Sequence, residues 1–394
     1  MSEYWLFAAG LALAACAYGL GRARALATAG GDIRALHSLP GHYGWAAVQM
    51  TLGAGLAVAL LARLAGWSGA GAGLAALAAA LAGLGWSLYR GTARFRARNA
   101  VEQGVMGFLI LASTIAIATT AGIVLSMLFE TRNFFALYDW RDFFFSATWA
   151  PQFQGQSQLG ILPLLWGTLY ISAIALAFAV PVGLLAAIYM SEYAGRRLRA
   201  VVKPALEILA GIPTIVYGLF ALIAVGPMLR DYFAQPLGLG SSASSVMTAG
   251  LVMGIMLIPF VSSLSDDIIS QVPRALNDGA LALGATRSET IRQVILPAAL
   301  PGIVGAVLLA ASRAIGETMI VVLGAGAAAR LSLNPFEAMT TITVKIVSQL
   351  TGDSDFAAPE TLVAFALGLT LFTITLGLNV LALVIVRRYR EQYE

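Results

Sequence analysis

The chain has 394 residues, of which 59% are hydrophobic and 11% are charged. Soluble domains are roughly 45–50% apolar and 25% charged, so this composition excludes an ordinary soluble protein. Several apolar stretches are long enough to cross a bilayer, which indicates a polytopic membrane protein. The formal net charge is +4. Most arginines stand in short clusters beside apolar runs, which is typical of a membrane surface and not of nucleic-acid binding.

Few residues of this chain could hold a metal or close a covalent bridge. Cys16 is the only cysteine, which excludes an internal disulfide and a cysteine-based metal site. His37 and His42 share one polar loop, where we expect solvated side chains and not metal ligands. No Gly-rich loop precedes either lysine, so the chain lacks a Walker A sequence. These features predict a protein without catalytic residues, resident metal or cofactor.

Apolar segments of about 20 residues, the length that crosses the hydrocarbon core as a helix, recur along the chain. The first segment carries Glu3 before its apolar run and basic residues after it, which favours a retained anchor over a cleaved signal peptide. We predict nine spans, at roughly 4–20, 44–65, 69–89, 104–128, 161–190, 205–228, 244–263, 302–325 and 361–386.

The loops between these spans alternate in charge. Arginines fill residues 21–43, 90–103, 191–204, 264–301 and the C-terminal tail, whereas the intervening loops carry acids and little basic charge. Because basic loops stay on the cytoplasmic side, nine spans place the C-terminus inside and the N-terminus outside. Residues 1–99 are rich in Ala, Leu and Gly, whereas residues 100–394 carry prolines and polar groups in or beside their spans. We place a domain boundary there.

Residues 278–297 form a polar, motif-bearing loop on the predicted cytoplasmic side. Gly284 suits the end of a first short helix, because a left-handed residue closes a last helical turn. Thr286 and Glu289 have the spacing of a capping box at the start of a second helix. An apolar stripe then precedes Pro297. The pattern predicts a compact pair of short helices that projects from the bilayer as a rigid knob.

The same loop resembles the EAA loop of bacterial ABC-importer permeases, which docks on a cytoplasmic ATPase. The resemblance depends on an acid, two small residues, a glycine and a closing Leu-Pro at the family's spacing. Asp278, Gly279 and Val294 replace the usual Glu, Ala and Ile, and Gly279 loosens the first helix by roughly 0.5–1 kcal/mol. The resemblance assigns ATPase coupling to seven residues: Asp278, Gly279, Ala280, Gly284, Thr286, Leu296 and Pro297.

Other motifs narrow the resemblance. EYA at 192–194, KPALEILAGIPTIVYG at 203–218 and RAIGETMIV at 313–321 are similar to the phosphate-specific Pst transporters, and the GETM ending is closer to the PstC-type than to the paired PstA-type permease. This resemblance covers about 104–390. It implies an all-α polytopic fold with a type I, MetI-like core of six transmembrane helices, here extended by about three N-terminal helices of unknown role, in a bacterial cytoplasmic membrane.

The resemblance also implies partners. A PstA-like permease would complete the path for inorganic phosphate, PstB-like ATPases would bind and hydrolyse ATP, and a PstS-like periplasmic protein would deliver the phosphate. Membrane lipid surrounds such a protein, and nucleic acid has no role. Two alternatives stay open. The chain could serve another oxyanion such as sulfate, molybdate or phosphonate, or it could be a non-transporting membrane scaffold that senses phosphate.

Charged residues inside the predicted spans are the remaining candidates. Arg313 is about 16 Å into its span and costs at least ~2.5–3.5 kcal/mol near mid-bilayer unless it is paired or wet. Glu317 follows four residues later, so it is expected on the same helical face as a partner, with Gly316 leaving room for close approach. Either the pair locks helices together, or Arg313 lines the translocation path and meets the anion. Lys203 and Glu207 are expected to pair at the interface.

Overall fold

The computed structural model describes residues 2–30, 33–67, 69–152, 157–352 and 358–390. The described chain is helical apart from one short antiparallel hairpin, in which Trp149 faces Leu159. Its helices and strands are α1 (Ser2–Thr28), a 3-10 turn (Ile33–Ala35), α2 (Pro40–Leu64), α3 (Ala70–Arg90), α4 (Ala97–Leu137), α5 (Trp140–Phe145), β1 (Trp149–Ala150), β2 (Gln158–Leu159), α6 (Leu162–Ile188), α7 (Arg196–Ala210), α8 (Thr214–Phe220), α9 (Gly226–Leu229), α10 (Val246–Ser270), α11 (Arg274–Ala282), α12 (Arg287–Thr290), α13 (Leu296–Ile315), α14 (Met319–Gly324), α15 (Ile342–Gly352) and α16 (Pro359–Arg390). Four π-helical turns, Tyr189–Tyr193, Ala221–Val225, Arg230–Ala234 and Ile291–Ile295, extend or join these helices.

Eight helices of the described chain are long and apolar enough to cross a membrane. Six of them form the predicted core, and this prediction is confirmed; they are Ala97–Leu137, Leu162–Tyr193, Thr214–Ala234, Val246–Ser270, Arg287–Ile315 and Pro359–Arg388. Two more, α2 and α3, belong to the predicted N-terminal extension. α1 is a helix of 27 residues but is not one of the eight. The structure therefore supports two of the three extension helices as spans by composition.

The chain divides into two compact units, Met1–Gly122 and Ile123–Glu394. The division falls inside α4, whereas the sequence pattern places the boundary at residues 99–100. In the first unit, α2 packs against both α1 and α3. Tyr43 is buried there and donates its hydroxyl hydrogen to the carbonyl oxygens of Ala93 and Phe95, at 3.2 and 2.9 Å. The aromatic side chain thus fixes the loop that follows α3.

The second unit is built on the close packing of α6 against α10. A Cβ added at Gly250 would lie 2.6 Å from Ile174 Cγ2, and one added at Gly254 would lie 2.9 Å from Phe178 Cδ1. These two glycines are four residues apart on one face of α10, the spacing at which small residues let membrane helices approach. Gly183 of α6 meets Val261 in the same way. This GxxxG pair was not predicted from the sequence.

Two predicted spans have the wrong bounds because the helices break inside them. The span predicted at 205–228 is split, since α7 ends at Ala210 and the membrane helix begins at Thr214, after Gly211 and Pro213. The span predicted at 302–325 is a helix that starts earlier, at Arg287, and ends at Ile315. A separate short helix, α14, follows after Gly316. Hydropathy alone does not reveal either break, because Gly211 and Pro213 lie within an apolar run and further apolar residues follow Glu317.

Candidate functional site

The loop between α10 and α13 has the predicted helix–turn–helix form. α11 begins after Pro273 and ends before Gly284, whose φ of +89° lies in the left-handed region. Its last turn is closed by hydrogen bonds from Gly284 N to Leu281 O and from Ala285 N to Ala280 O, at 3.0 and 3.1 Å. This arrangement confirms the prediction for Gly284, since only glycine adopts such a φ without strain.

The second helix starts with the predicted capping box. Glu289 N donates to Thr286 Oγ1 at 3.3 Å, and the Glu289 carboxylate accepts from Thr286 N at 2.8 Å and from Thr286 Oγ1 at 2.7 Å. These bonds satisfy backbone donors that a helix start otherwise leaves unpaired. The capping box fixes the direction of α12 as it leaves the turn.

The sequence pattern predicted that the second helix ends before Pro297. This prediction is wrong. The helix continues through the π-helical turn Ile291–Ile295 into α13, and Pro297 occupies the first turn of α13. The wide turn takes the place of a break because proline lacks the backbone donor that an ordinary helical turn would need there. Ile291 and Ile295 are buried in a cluster with Ala187 of α6 and Ile269 of α10. The loop is therefore anchored on two other helices.

The seven residues predicted for ATPase coupling do not lie together. Asp278, Gly279, Gly284 and Thr286 are exposed on the projecting part of the loop, and Ala280 is half-buried there. Leu296 and Pro297 belong to α13, at the root of the loop. No residue of α11 is buried, and Leu283 at its end is 92% exposed. The side chain of Leu283 is therefore not packed within the described chain.

Arg313 and Glu317 do not form the predicted ion pair. α13 ends at Ile315 and Gly316 is its C-cap, so the two side chains do not share a helical face. Arg313 is exposed, and its guanidinium lies over the ring of Phe260, 5.5 Å from the ring centroid. No carboxylate of the described chain lies within 4.0 Å of it. Phe260 is about 21 Å from the start of α10 and about 15 Å from its end, so the cation lies near the middle of that helix.

Glu317 instead stabilises the start of α14. Its carboxylate accepts from Thr318 N and Met319 N, at 3.1 and 3.0 Å, and its carbonyl oxygen accepts from Thr343 Oγ1 at 2.9 Å. A carboxylate at a helix N-terminus satisfies free backbone donors and complements the helix dipole. Gly316 is exposed between the two helices. The structure thus assigns Glu317 a role in the break and leaves the charge of Arg313 uncompensated within the described chain.

A second charged cluster joins α7 to α10 and was not predicted from the sequence. The expected pair of Lys203 with Glu207 is not formed. Lys203 Nζ contacts Asp266 Oδ2 at 3.0 Å and Asp267 Oδ1 at 3.2 Å. Arg199 Nη2 contacts both oxygens of Asp266, at 3.0 and 2.9 Å. The hydrogen bond to Asp266 is the main cause that raises the pKa of Lys203. The available signal was two acids that end an apolar run, 63 residues from Lys203.

The loop and the helical core together define the membrane subunit of a transporter. Residues 179–391 match the model of the binding-protein-dependent transport system inner membrane component, which is more than half of the chain, and the protein belongs to this family. Residues 8–66 match a second family, described as phosphate ATP-binding cassette transporter. The resemblance drawn from the motifs stopped short of residues 1–100, so this second match extends it.

Relatives and a solved structure agree with the family. The chain is 40% identical over 247 residues to phosphate transport system permease protein PstC 1 of Mycobacterium tuberculosis, covering 58% of this chain and 72% of the relative. It is 33% identical over 306 residues to PstC of Xylella fastidiosa strain Temecula1, covering 72% and 91%. A bacterial alginate ABC transporter, solved with an alginate-bound periplasmic protein, shares the fold with a TM-score of 0.50 and 19% identity, over 74% of this chain and 96% of that one.

Proposed function

We infer that this chain is the transmembrane permease subunit of an ATP-driven phosphate importer. The observation that carries the inference is the match to the Xylella PstC permease over 91% of that protein. The phosphate-transporter family match at 8–66 supports the same substrate independently, because it lies outside the core domain. The chain is a multi-pass inner-membrane permease and not itself a catalytic subunit, and it works with an ATPase and a binding protein.

We propose that the named Pst subunits fill these roles. The exposed part of the 278–297 loop would dock on a PstB-like ATPase, which binds the ATP, through α11 and the bare side chain of Leu283. A PstA-like permease would supply the other half of the path, and a PstS-like protein would deliver phosphate from the periplasm. The capped, glycine-closed turn favours this assignment, because a docking element that transmits force must keep its shape.

The orientation proposed for the chain places this loop and the C-terminus in the cytoplasm. Arg387 and Arg388 end the last membrane helix, and Arg196 and Arg197 begin α7 after another, as the positive-inside rule requires. We propose an outside N-terminus. α1 spans about 40 Å at 1.5 Å per residue, enough to cross the bilayer, and Arg22 and Arg24 lie at its C-terminal end. Labelling of a cysteine placed at Ser2 by a membrane-impermeant reagent on intact cells tests this orientation.

We propose that Arg313 and Gly316 line the translocation path and that Glu317 shapes it. A guanidinium near the middle of a membrane helix needs a counter-ion or water, and the described chain offers it the ring of Phe260 but no carboxylate. Arginine's planar fork matches the oxygens of phosphate, which would be the transient counter-ion. Glu317 fixes the start of α14 next to Gly316, because its carboxylate accepts hydrogen bonds from the backbone of Thr318 and Met319. The path is therefore proposed at the break between α13 and α14.

Reconstitution of the four-component complex in proteoliposomes tests the function. With a phosphate-loaded binding protein outside and ATP available to the ATPase, labelled phosphate should accumulate, and sulfate, molybdate and phosphonate should not. Accumulation of one of these other anions instead would replace the substrate assignment. Stimulated ATP hydrolysis without uptake of any of these anions would favour the alternative that the chain is a non-transporting scaffold that senses phosphate.

The Arg313→Gln substitution tests the path within the same complex. It keeps much of the volume and the hydrogen bonding but removes the charge, so phosphate uptake should be lost while the subunits still assemble. Arg313→Lys should keep part of the uptake, because it retains the charge without the fork. Glu317→Gln should be milder than Glu317→Ala, because the amide oxygen can still accept from Thr318 and Met319. Normal uptake by the Arg313→Gln complex would remove Arg313 from the path.

A further inference from the structure

α7 is held on α10 by charge. Asp266 is only 1% exposed, whereas the side chains of Arg199 and Lys203 are 37% and 32% exposed. The carboxylate accepts from both cations at 2.9–3.0 Å. A buried carboxylate that loses such partners is left uncompensated, so the cluster strongly favours α7 in contact with α10. The two cations can be rehydrated where they stand, which makes the contact reversible.

The apolar packing of α7 is confined to partly buried side chains, among them Leu209, which packs against the core cluster. No side chain of α7 is buried. A cavity of about 210 Å³ lies between the helices, lined among others by Leu206, Glu207, Phe260 and Ser263. The α6–α10 contact in the same unit is the opposite case, since its glycines leave no space for even one more carbon. Because α7 and α10 are joined by ion pairs around a cavity, they can separate without exposing a close-packed core.

The position of α7 also suits movement. Gly195 precedes it, and Gly211, Ile212 and Pro213 separate it from the membrane helix that begins at Thr214. Asp266 lies eight residues before α11, the first helix of the docking loop. The cavity beneath α7 reaches Phe260, whose ring carries the Arg313 guanidinium. Asp266 therefore lies on the part of α10 that leads into the loop, and α7 covers the space next to the proposed path.

We propose that Asp266 is a positioning residue of the transport cycle, which latches α7 over the cavity beside Phe260 and releases it when the docking loop moves. The proposal rests on the proposed function, because it assumes a cycle driven through that loop. The latch consists of Asp266 with Arg199 and Lys203. Asp267 has a minor part, since its side chain is 57% exposed and contacts Lys203 alone. α7 narrows the mouth of the cavity while the latch is closed, and release of the latch widens that mouth for large molecules.

Cysteine labelling tests the latch in the assembled complex. In a Cys16→Ser background, Ser263→Cys places a single thiol in the cavity wall. A dye-sized maleimide, larger than the cavity, should react slowly at rest and at least about fivefold faster during ATP turnover, a ratio typical of coupling between sites. Asp266→Asn should give the faster rate already at rest, and Asp267→Asn, the matched control, should not. Thr92→Cys, in the exposed turn after α3 and outside the docking loop, should react equally in all states.

ATP hydrolysis gives a second readout. The Asp266→Asn complex should hydrolyse ATP without the binding protein, and Asp266→Glu, which keeps the charge, should restore dependence on it. Both readouts can be followed without measuring phosphate uptake, so a complex that moved another anion would refute the proposed substrate and leave the latch intact. A labelling rate of the Ser263→Cys thiol that is the same at rest, in turnover and with Asp266→Asn would overturn the latch. The latch would also be overturned if ATP hydrolysis by the Asp266→Asn complex depended on the binding protein as it does in the wild type.

Discussion

Two glycines of the docking loop provide a matched test of its rigidity. Gly279 lies inside α11, and Gly284 closes the turn after it with φ +89°. At both positions, an added Cβ would meet nothing within 4 Å, so neither substitution to alanine creates a clash within this chain. The two substitutions therefore differ only in what they ask of the backbone, and their effects should have opposite signs.

The magnitudes follow from backbone preferences. Alanine in the left-handed region costs about 1–2 kcal/mol, so Gly284→Ala should loosen the turn by that amount. Alanine inside a helix gains about 0.5–1 kcal/mol over glycine, so Gly279→Ala should tighten α11. The difference of roughly 1.5–3 kcal/mol corresponds to about tenfold to a hundredfold in the equilibrium between formed and opened loop.

Hydrogen exchange measures that equilibrium directly. The amides of Leu283, Gly284 and Ala285 are bonded inside the loop, to Gly279, Leu281 and Ala280. Their exchange should be faster in Gly284→Ala than in Gly279→Ala by the factor above, and ATP-driven uptake should fall in the first variant and persist in the second. Equal exchange in the two variants would refute the backbone argument. A loosened loop with normal uptake and normal subunit association would instead refute docking through this turn.

Two further predictions concern the packing and the division of the chain. Gly250→Ala places a methyl 2.6 Å from Ile174 Cγ2 and should destabilise the α6–α10 contact by about 1–3 kcal/mol, seen as a lower temperature of heat inactivation. Gly377→Ala on α16 has open space and should not lower that temperature, and equal shifts would contradict the close-packing argument. A chain that begins at Val101 should still assemble with its partners and transport phosphate. The reason is that the residues before Val101 carry no charged side chain near the middle of a span that is comparable to Arg313. Assembled complexes without any uptake would show that the first hundred residues belong to the transport core.

Local rules predicted the turn and the capping box of the 278–297 loop well. Gly284 and the Thr286–Glu289 capping box depend on neighbours within a few residues, so their spacing in the sequence determines their geometry. The Arg313–Glu317 pair failed for a tertiary reason. The helix stops at Gly316, and Thr343, far along the chain, binds the carbonyl oxygen of Glu317. A periodicity argument assumes that the helix continues and cannot register such a contact.

The ionic partners of α7 also could not be predicted from neighbours in the sequence. Lys203 had an acid four residues away in Glu207, which the helical rule favours, yet it contacts Asp266 and Asp267 on another helix. A buried carboxylate attracts cations more strongly than an exposed one, and burial at Asp266 depends on how α6, α7 and α10 pack. The number of core spans followed from composition alone, whereas their ends and the choice of ionic partners needed the three-dimensional structure.

The unbroken helix from Arg287 to Ile315 has a mechanical consequence. It carries the capped end of the docking loop at one terminus and Arg313 near the other, about 40 Å away at 1.5 Å per residue. The cluster of Ile291, Ile295 and Ala299 with α6 and α10 grips this rod close to the loop. Ala314 near the far end is buried as well, in the core cluster with Met253 and Leu257 of α10, so the rod is held at both ends and a push at the loop shifts it as one body. The stop at Gly316 ends this rod, so α14 is not part of the body that shifts.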